Sequence, residues 1–223
     1  MNASNGYDVL KRLIDLGVAL VALICSIPIQ FVVAILVYKY LGRPILFRQA
    51  RPGRDGQIFM LLKFRSMKLA EPGTAISSDA TRLTPFGQAL RASSLDELPS
   101  LWNVVKGDMS LVGPRPLLPQ YLERYTPEQN RRHEVRPGIT GLAQVTGRNG
   151  IAWDEKFKLD VEYVDSRSLT LDLRILAGTV LNVFRREGIS QPGVATMSEF
   201  TGSSTRTSGG SRVEDNDSDS ISK

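Results

Sequence analysis

From Leu16 to Tyr38 the chain runs 23 residues without a charge. About 20 apolar residues suffice to cross the hydrocarbon core of a bilayer. The run therefore commits the N-terminal region to a long apolar helix in contact with lipid. Pro28 stands near its middle, where proline removes a helix hydrogen bond and bends the chain. Both flanks are basic, with Lys11 and Arg12 before it and Lys39, Arg43, Arg48, Arg51 and Arg54 after it. Positive flanks of membrane segments stay on the cytoplasmic side. A spanning helix would send one flank across. A helix bent at Pro28, entering and leaving by the same leaflet, keeps both. The sequence thus favours a re-entrant helix over a spanning one, with Ser26 and Gln30 placed to serve backbone groups freed by the bend. A cleavable signal peptide fits poorly, because the run is too long and no small-residue cleavage site follows.

The remaining length is enough for one good core. The single Cys25 excludes an internal disulfide, and one cysteine with one histidine, His133, argues against a structural zinc site. His133 falls in a polar stretch and reads as a surface residue. The formal charge is +5. A basic body suits nucleic acid, anionic lipid or phosphorylated substrates. Basic and aromatic residues do not interleave as on a nucleic-acid surface, so no nucleic-acid partner is expected.

The pattern past the apolar run predicts extended segments at Ile45–Gln49 and Ile58–Phe64, with Gly53 and Gly56 in the turn between them. Ala70–Asp79 reads as a loop and Phe86–Arg91 as a helix. Ser110–Val112 reads as extended. Pro116–Tyr125 and the segment opened by Thr126-Pro127-Glu128 read as short helices. Arg136–Arg148 is glycine-rich and irregular, suited to close backbone approach to a ligand. Helices are expected at Trp153–Asp165 and Leu171–Arg186. The last carries a wide apolar stripe, suited to core packing or, alternatively, to the membrane interface. The segment after Thr201 is rich in Ser, Thr, Gly and Asp and is expected to be disordered.

The chemistry concentrates in Arg91–Pro116, RASSLDELPSLWNVVKGDMSLVGPRP. Leu95, Leu98, Leu101, Trp102 and Val105 recur at three- and four-residue steps and share a helix face. Pro99 is harmless only in a first turn, whose N–H groups have no intrahelical partner. The spacing therefore predicts a helix beginning near Ser94–Asp96, capped by Ser94 or Asp96 and ended by Gly107. Asp96 and Glu97 then sit at the end of the helix dipole that favours anions. Adjacent helical residues diverge by about 100°, so the two acids converge on a substrate only if the terminus itself lines the site. Ser94-Leu95-Asp96-Glu97 also matches an ordinary capping box, and spacing alone leaves both readings open.

The same stretch resembles the signature of the bacterial sugar transferases, the small monotopic phosphoglycosyl transferases. The matching residues are Asp96-Glu97-Leu98-Pro99, Leu101-Trp102-Asn103-Val104, Lys106-Gly107-Asp108-Met109-Ser110 and Val112-Gly113-Pro114-Arg115-Pro116. The match extends upstream to Phe47-Arg48-Gln49, Arg51, Gly53 and Lys63-Phe64-Arg65-Ser66-Met67. It extends downstream to Arg136-Pro137-Gly138-Ile139-Thr140-Gly141, Ala143-Gln144-Val145 and Gly147-Arg148. The resemblance implies a fold that is mainly α with a few short β-strands (α+β). Residues 1–40 would form an N-terminal re-entrant membrane helix, 41–200 a cytoplasmic catalytic domain and 201–223 a disordered tail.

The resemblance further implies transfer of a sugar-1-phosphate from a UDP-sugar to undecaprenyl phosphate, with release of UMP, at the cytoplasmic face of a bacterial inner membrane. Asp96 would be the nucleophile and form a phosphosugar-aspartyl intermediate, with Mg²⁺ beside it and Glu97 in support. Attack of a carboxylate on a diphosphate joins two anions, which a cation with oxygen ligands relieves. Arg91, Arg115, Arg136 and Arg148 are the candidates for phosphate and nucleotide contacts, since arginine binds phosphate through two N–H groups at once. Lys63 and Arg65 suit either the site or lipid headgroups, and Asp108 reads as a polar turn residue. The reading from a different class is a membrane-anchored protein that holds anionic lipid or polyphosphate without catalysis.

Overall fold

The apolar run lies within one long helix, α1 (Ser4–Leu41), in a computed structural model that describes residues 4–69, 82–147, 151–185 and 199–202. Arg148, the expected loop at 70–79 and the tail beyond Gly202 lie outside the described residues. Helical hydrogen bonding continues on both sides of Pro28. Proline lacks the N–H that would reach the Ile24 carbonyl. The polar pair works one residue earlier: Ser26 Oγ donates to the Leu23 carbonyl, and Gln30 Nε2 donates to Ser26 Oγ at 2.9 Å.

One stripe of α1 is covered along its whole length. Asp15, Ala19, Ser26, Val33 and Val37 are buried, and Ala22, Leu23, Gln30, Ala34 and Leu41 are half-buried between them. The other faces expose Val21, Ile24, Ile27, Phe31 and Ile35. An apolar surface this extensive marks contact with a membrane or a partner.

Both ends of α1 are tied to the same body. Near its start, Tyr7 Oη and Lys11 Nζ bond Asp172 Oδ2, Ser110 Oγ donates to Asp15 Oδ2 at 2.6 Å, and Arg12 donates to the Val104 and Val105 carbonyls. At its end, the buried Arg65 guanidinium donates to the carbonyls of Leu41 and Gly42. Arg65 thus caps a helix C-terminus, a favourable place for a cation.

The expected strands pair as an antiparallel hairpin, β1 (Leu46–Pro52) with β2 (Ile58–Phe64). Beyond it come α2 (Pro85–Ala92), with Thr84 accepting from Gly87 N at its cap, and α3 (Ser100–Lys106). Next are β3 (Ser110–Val112), α4 (Pro127–Asn130), β4 (Gly138–Thr140), α5 (Leu142–Thr146), α6 (Trp153–Ser166) and α7 (Leu169–Arg185). The main core joins Ala19 of α1 to Leu61, Leu101, Val104, Met109, Val112, Tyr163 and Ile175. The α7 stripe divides: Ile175 is core, while Val180 and Leu181 are exposed.

Several expectations are corrected. Pro116–Tyr125 holds a 3-10 turn, Pro119–Arg124, rather than an α-helix. The glycine-rich stretch after Arg136 is not irregular. It supplies β4, which pairs in parallel with β3, and then α5. Its close approach is to backbone: a Cβ on Gly138 would lie 2.1 Å from Gly113 N, and one on Gly113 would lie 2.4 Å from the Arg136 carbonyl oxygen. His133 is buried, with Nδ1 3.2 Å from the Gly53 carbonyl oxygen and Nε2 lacking a partner among the described residues. Its place is decided by the β1–β2 turn folding over it, which a polar local sequence does not show.

Candidate active site

The acidic pair precedes its helix rather than starting it. Leu95–Glu97 is a 3-10 turn entered through Ser94 in the left-handed region (φ 55°), and Pro99 occupies the N-cap position of α3. No side-chain cap bond forms at either place. The predicted capping by Ser94 or Asp96 is therefore replaced by a tight turn. The C-terminal expectation holds: Gly107, at φ 95°, accommodates the left-handed turn that ends α3.

Two side chains of α3 dock this turn onto the hairpin. Ser100 Oγ donates to the Leu62 carbonyl at 2.7 Å. Asn103 accepts from Leu62 N and donates to the Met60 carbonyl. They satisfy the open edge of β2 as a neighbouring strand would. Lys63, next along β2, thereby meets Glu97: its Nζ lies 2.5 Å from Oε1. Arg115 Nη2 reaches the same oxygen at 2.8 Å. The loop carrying Arg115 is held from behind. Arg132 Nη2 donates to the Arg115 carbonyl at 2.7 Å and, with Nε, grips Asp160 in a buried ion pair.

The two acids differ in charge state. Burial pushes the Glu97 carboxyl up, but the charges and hydrogen bonds of Lys63 and Arg115 together prevail and hold it well below the usual range. Asp96, 7 % exposed, is pushed up to about 6, first by burial and then by the negative charge of Glu97. Lys63, Arg115 and Arg91 only partly offset this. Glu97 is thus fixed as an anion, and Asp96 has raised basicity.

Arg91 lies close enough for its charge to act on Asp96, and its Nε donates to Ser66 Oγ. Arg115 is in direct contact with Glu97. Arg136 is elsewhere: Nε donates to the Gly107 carbonyl, and the side chain lines a small cavity with Arg12, Asp8 and Asp15. Lys63 and Arg65, left between site and headgroups by the sequence, are taken by Glu97 and by the end of α1. Asp108 is a turn residue, paired with Lys106 and Asn103.

A cleft of about 260 Å³ opens beside Glu97. Arg51, Lys63, Arg115 and Lys156 line it, with Tyr121, Leu117, Leu118 and Ile139 supplying apolar surface. Neither Arg51 nor Lys156 is among the site residues expected from the sequence. Arg51 belonged to the matching run around Gly53, whereas Lys156 sits in an ordinary amphipathic helix with no local signal.

Among the described residues no group of three His, Cys, Asp or Glu side chains gathers as a metal cage. Mg²⁺ does not need one: it is commonly held by one or two carboxylates together with substrate phosphates and water. Asp96 fits that part, because Glu97 is spent on two cations and burial leaves Asp96 under-neutralised. A cation there would return Asp96 to its ionised form.

A family model described as "Bacterial sugar transferase" matches residues 6–186. The chain is 52% identical over 197 residues to "Uncharacterized sugar transferase EpsL" of Bacillus subtilis, covering 87% of this chain and 97% of that protein. It is 38% identical over 184 residues to "UDP-glucose:undecaprenyl-phosphate glucose-1-phosphate transferase" of Caulobacter vibrioides, covering 78% of this chain and 69% of that one. It is 38% identical over 200 residues to "Undecaprenyl-phosphate galactose phosphotransferase" of Salmonella typhimurium, covering 80% of this chain but only 41% of that protein.

Proposed function

The chain belongs to the bacterial sugar transferase family, and on that footing we propose that it moves a sugar-1-phosphate from a UDP-sugar to undecaprenyl phosphate. The observation that carries this reading is the divided acidic pair. Asp96 is buried and basic beside a cationic cleft, and Glu97 is neutralised within it.

In the proposed reaction an Asp96 carboxylate oxygen bonds to the phosphorus that bears the sugar. The bond from that phosphorus to the bridging oxygen breaks, and UMP leaves with the electron pair. An oxygen of undecaprenyl phosphate then attacks the same phosphorus, and Asp96 departs as a carboxylate. Glu97 keeps Lys63 and Arg115 at the cleft wall, where their charge meets the phosphates. Arg115 remains partly open to solvent and so is available to a ligand. Mg²⁺ at Asp96 would supply charge neutralisation between nucleophile and diphosphate.

A lipid-borne acceptor requires the site to lie at the membrane surface. We propose that α1 enters and leaves by the cytoplasmic leaflet of a bacterial inner membrane. Support comes from its attachments: Lys11, Arg12 and Asp15 near one end and Leu41 at the other all bind one body. A straight spanning helix would leave only one end on that body.

The relatives' names specify glucose in one case and galactose in another, so the sugar is set by direct test. UDP-sugars are offered one at a time with undecaprenyl phosphate and Mg²⁺, and UMP is measured. At least one donor should give UMP that depends on the acceptor. Anionic-lipid binding without UMP from any donor would instead mark a membrane-anchored anion binder.

A further inference from the structure

Resting on the transfer reaction proposed above, we propose that Phe200 is a positioning residue for the nucleotide-sugar donor: clasped together with Glu199 by Arg124, it fixes Tyr121 in the wall of the cleft. Glu199 and Phe200 lie past the family-matched stretch, residues 6–186. They nevertheless return to the site. Phe200 is 2 % exposed and packs with Leu117, Tyr121 and Phe157 in a core of their own. Leu117 and Tyr121 also line the cleft beside Glu97, whereas Phe200 does not.

The wall needs such a support. Tyr121 stands in the 3-10 turn Pro119–Arg124, and Leu118 precedes it. Hydrogen bonds in 3-10 turns are poorer than in α-helices, so packing decides where this turn sits. The backbone of Phe200 bonds two residues of it: N donates to Tyr121 Oη at 3.3 Å, and the carbonyl accepts from Arg124 Nη1. Glu199 Oε1 accepts from the same Arg124 nitrogen at 2.8 Å and from Gln120 Nε2 at 3.3 Å. The Phe200 ring meets Tyr121 edge-on with centroids 5.7 Å apart, an arrangement that aromatic rings favour. On its other contacts it lies 4.9 Å from the Phe157 ring and 5.6 Å from the Trp153 ring of α6. Phe200 thus wedges the turn against α6.

The supported wall suits the donor better than the lipid acceptor. Leu117, Tyr121, Phe157 and Phe200, with Leu118, Tyr125 and Trp153 packed against them, include no residue of α1. The polyprenyl chain of the acceptor stays in the lipid that α1 enters. A wall built without α1 therefore serves the water-soluble substrate. A misplacement of about 1 Å in such a site can cost on the order of 100-fold, so slack at Phe200 should be felt in donor binding.

The test measures UMP binding to the whole protein in detergent, and steady-state turnover with a UDP-sugar from which the wild type releases UMP. Phe200→Ala should weaken UMP and raise the donor KM by about tenfold each, while kcat and the KM for undecaprenyl phosphate stay within about twofold. Phe200→Leu refills most of the volume and should recover most of the loss. With Tyr121 already changed to Ala, Phe200→Ala should add little, as for residues that act through one another. Thermal melting checks folding; should Phe200→Ala fail to fold, Glu199→Ala, at an exposed position, decides by the same readouts. Unchanged UMP affinity and donor KM in the folded variant overturn the proposal and leave Phe200 a core residue only. A raised KM for undecaprenyl phosphate with an unchanged donor KM also overturns it, and gives the wall to the acceptor. A wild type that neither binds nor releases UMP overturns the transfer reaction, and the donor assignment with it.

Discussion

Asp96 and Glu97 are neighbours in sequence and opposites in charge environment. Both ion pairs that the described residues make with the acidic pair end on Glu97 Oε1, from Lys63 at 2.5 Å and Arg115 at 2.8 Å. Asp96, buried beside that anion, has its basicity raised first by burial and then by the charge of Glu97. One acid holds the cations in place, and the other remains reactive.

Asp96→Asn preserves shape and removes the anionic nucleophile. Turnover should fall to background while the melting temperature stays close to wild type. Wild-type protein given UDP-sugar without acceptor should gain the mass of a phosphosugar on Asp96, detected by intact-protein and peptide mass spectrometry. Near-normal turnover by Asp96→Asn would exclude the covalent route.

Arg115→Lys keeps a positive charge and loses the planar fork. Loss of a charged hydrogen bond predicts a fall in kcat/KM worth about 1–3 kcal/mol. Steady-state kinetics checks this. Unchanged kinetics in both Arg115→Lys and Arg115→Ala would leave Arg115 only its contact with Glu97.

Topology can be read by labelling. With Cys25 replaced by Ser, single cysteines at Gly6 and at Glu162 should both resist an impermeant thiol reagent on intact spheroplasts, and both should react after lysis. Labelling at residue 6 alone before lysis would establish a spanning helix. Pro28→Leu restores a helix hydrogen bond, should favour the spanning form and should lower activity. Unchanged labelling and turnover in that variant would remove Pro28 from the account.

Asp172 accepts from Tyr7, Lys11 and Tyr163 and fastens the start of α1 to α6 and α7. Asp172→Ala leaves Lys11 without its main partner in a mostly buried place. Breaking such a pair costs about 3–5 kcal/mol. Denaturant titration in detergent should show that loss, and proteolysis should reveal a loosened N-terminal segment.

His133 gives a pH signature. Burial, then the charge of Arg132, lowers it from its ordinary 6.5 to about 4, despite its bond to the Gly53 carbonyl. The unfolded chain therefore takes up a proton that the folded protein refuses. Its contribution is fully present above about 6.5 and is lost as the pH falls towards about 4. The loss is on the order of 3 kcal/mol, at about 1.4 kcal/mol per tenfold in proton affinity. Stability measured against pH should flatten in that window in His133→Gln. An unaltered slope would mean that His133 is accessible to protons when folded.

Much of the local architecture was legible along the chain. The uncharged run, the hairpin around Gly53 and Gly56, the Gly107 terminator and the two C-terminal helices follow from short-range rules: charge-free length, alternation, left-handed turns and helical spacing. The acidic pair was legible too, through the resemblance of its motif. Its conformation was not, because a left-handed Ser94 and a 3-10 turn are imposed by docking of Ser100 and Asn103 on β2. Long-range contact likewise decided the burial of His133, the pairing of Lys63 with Glu97, the displacement of Arg136 from the acids, and the arrival of Arg51 and Lys156 from segments about 100 residues apart at one cleft. Periodicity records which face of an element is apolar. Only packing between elements determines which charges meet, and charge neutralisation in a buried place determines which of two adjacent carboxylates stays reactive.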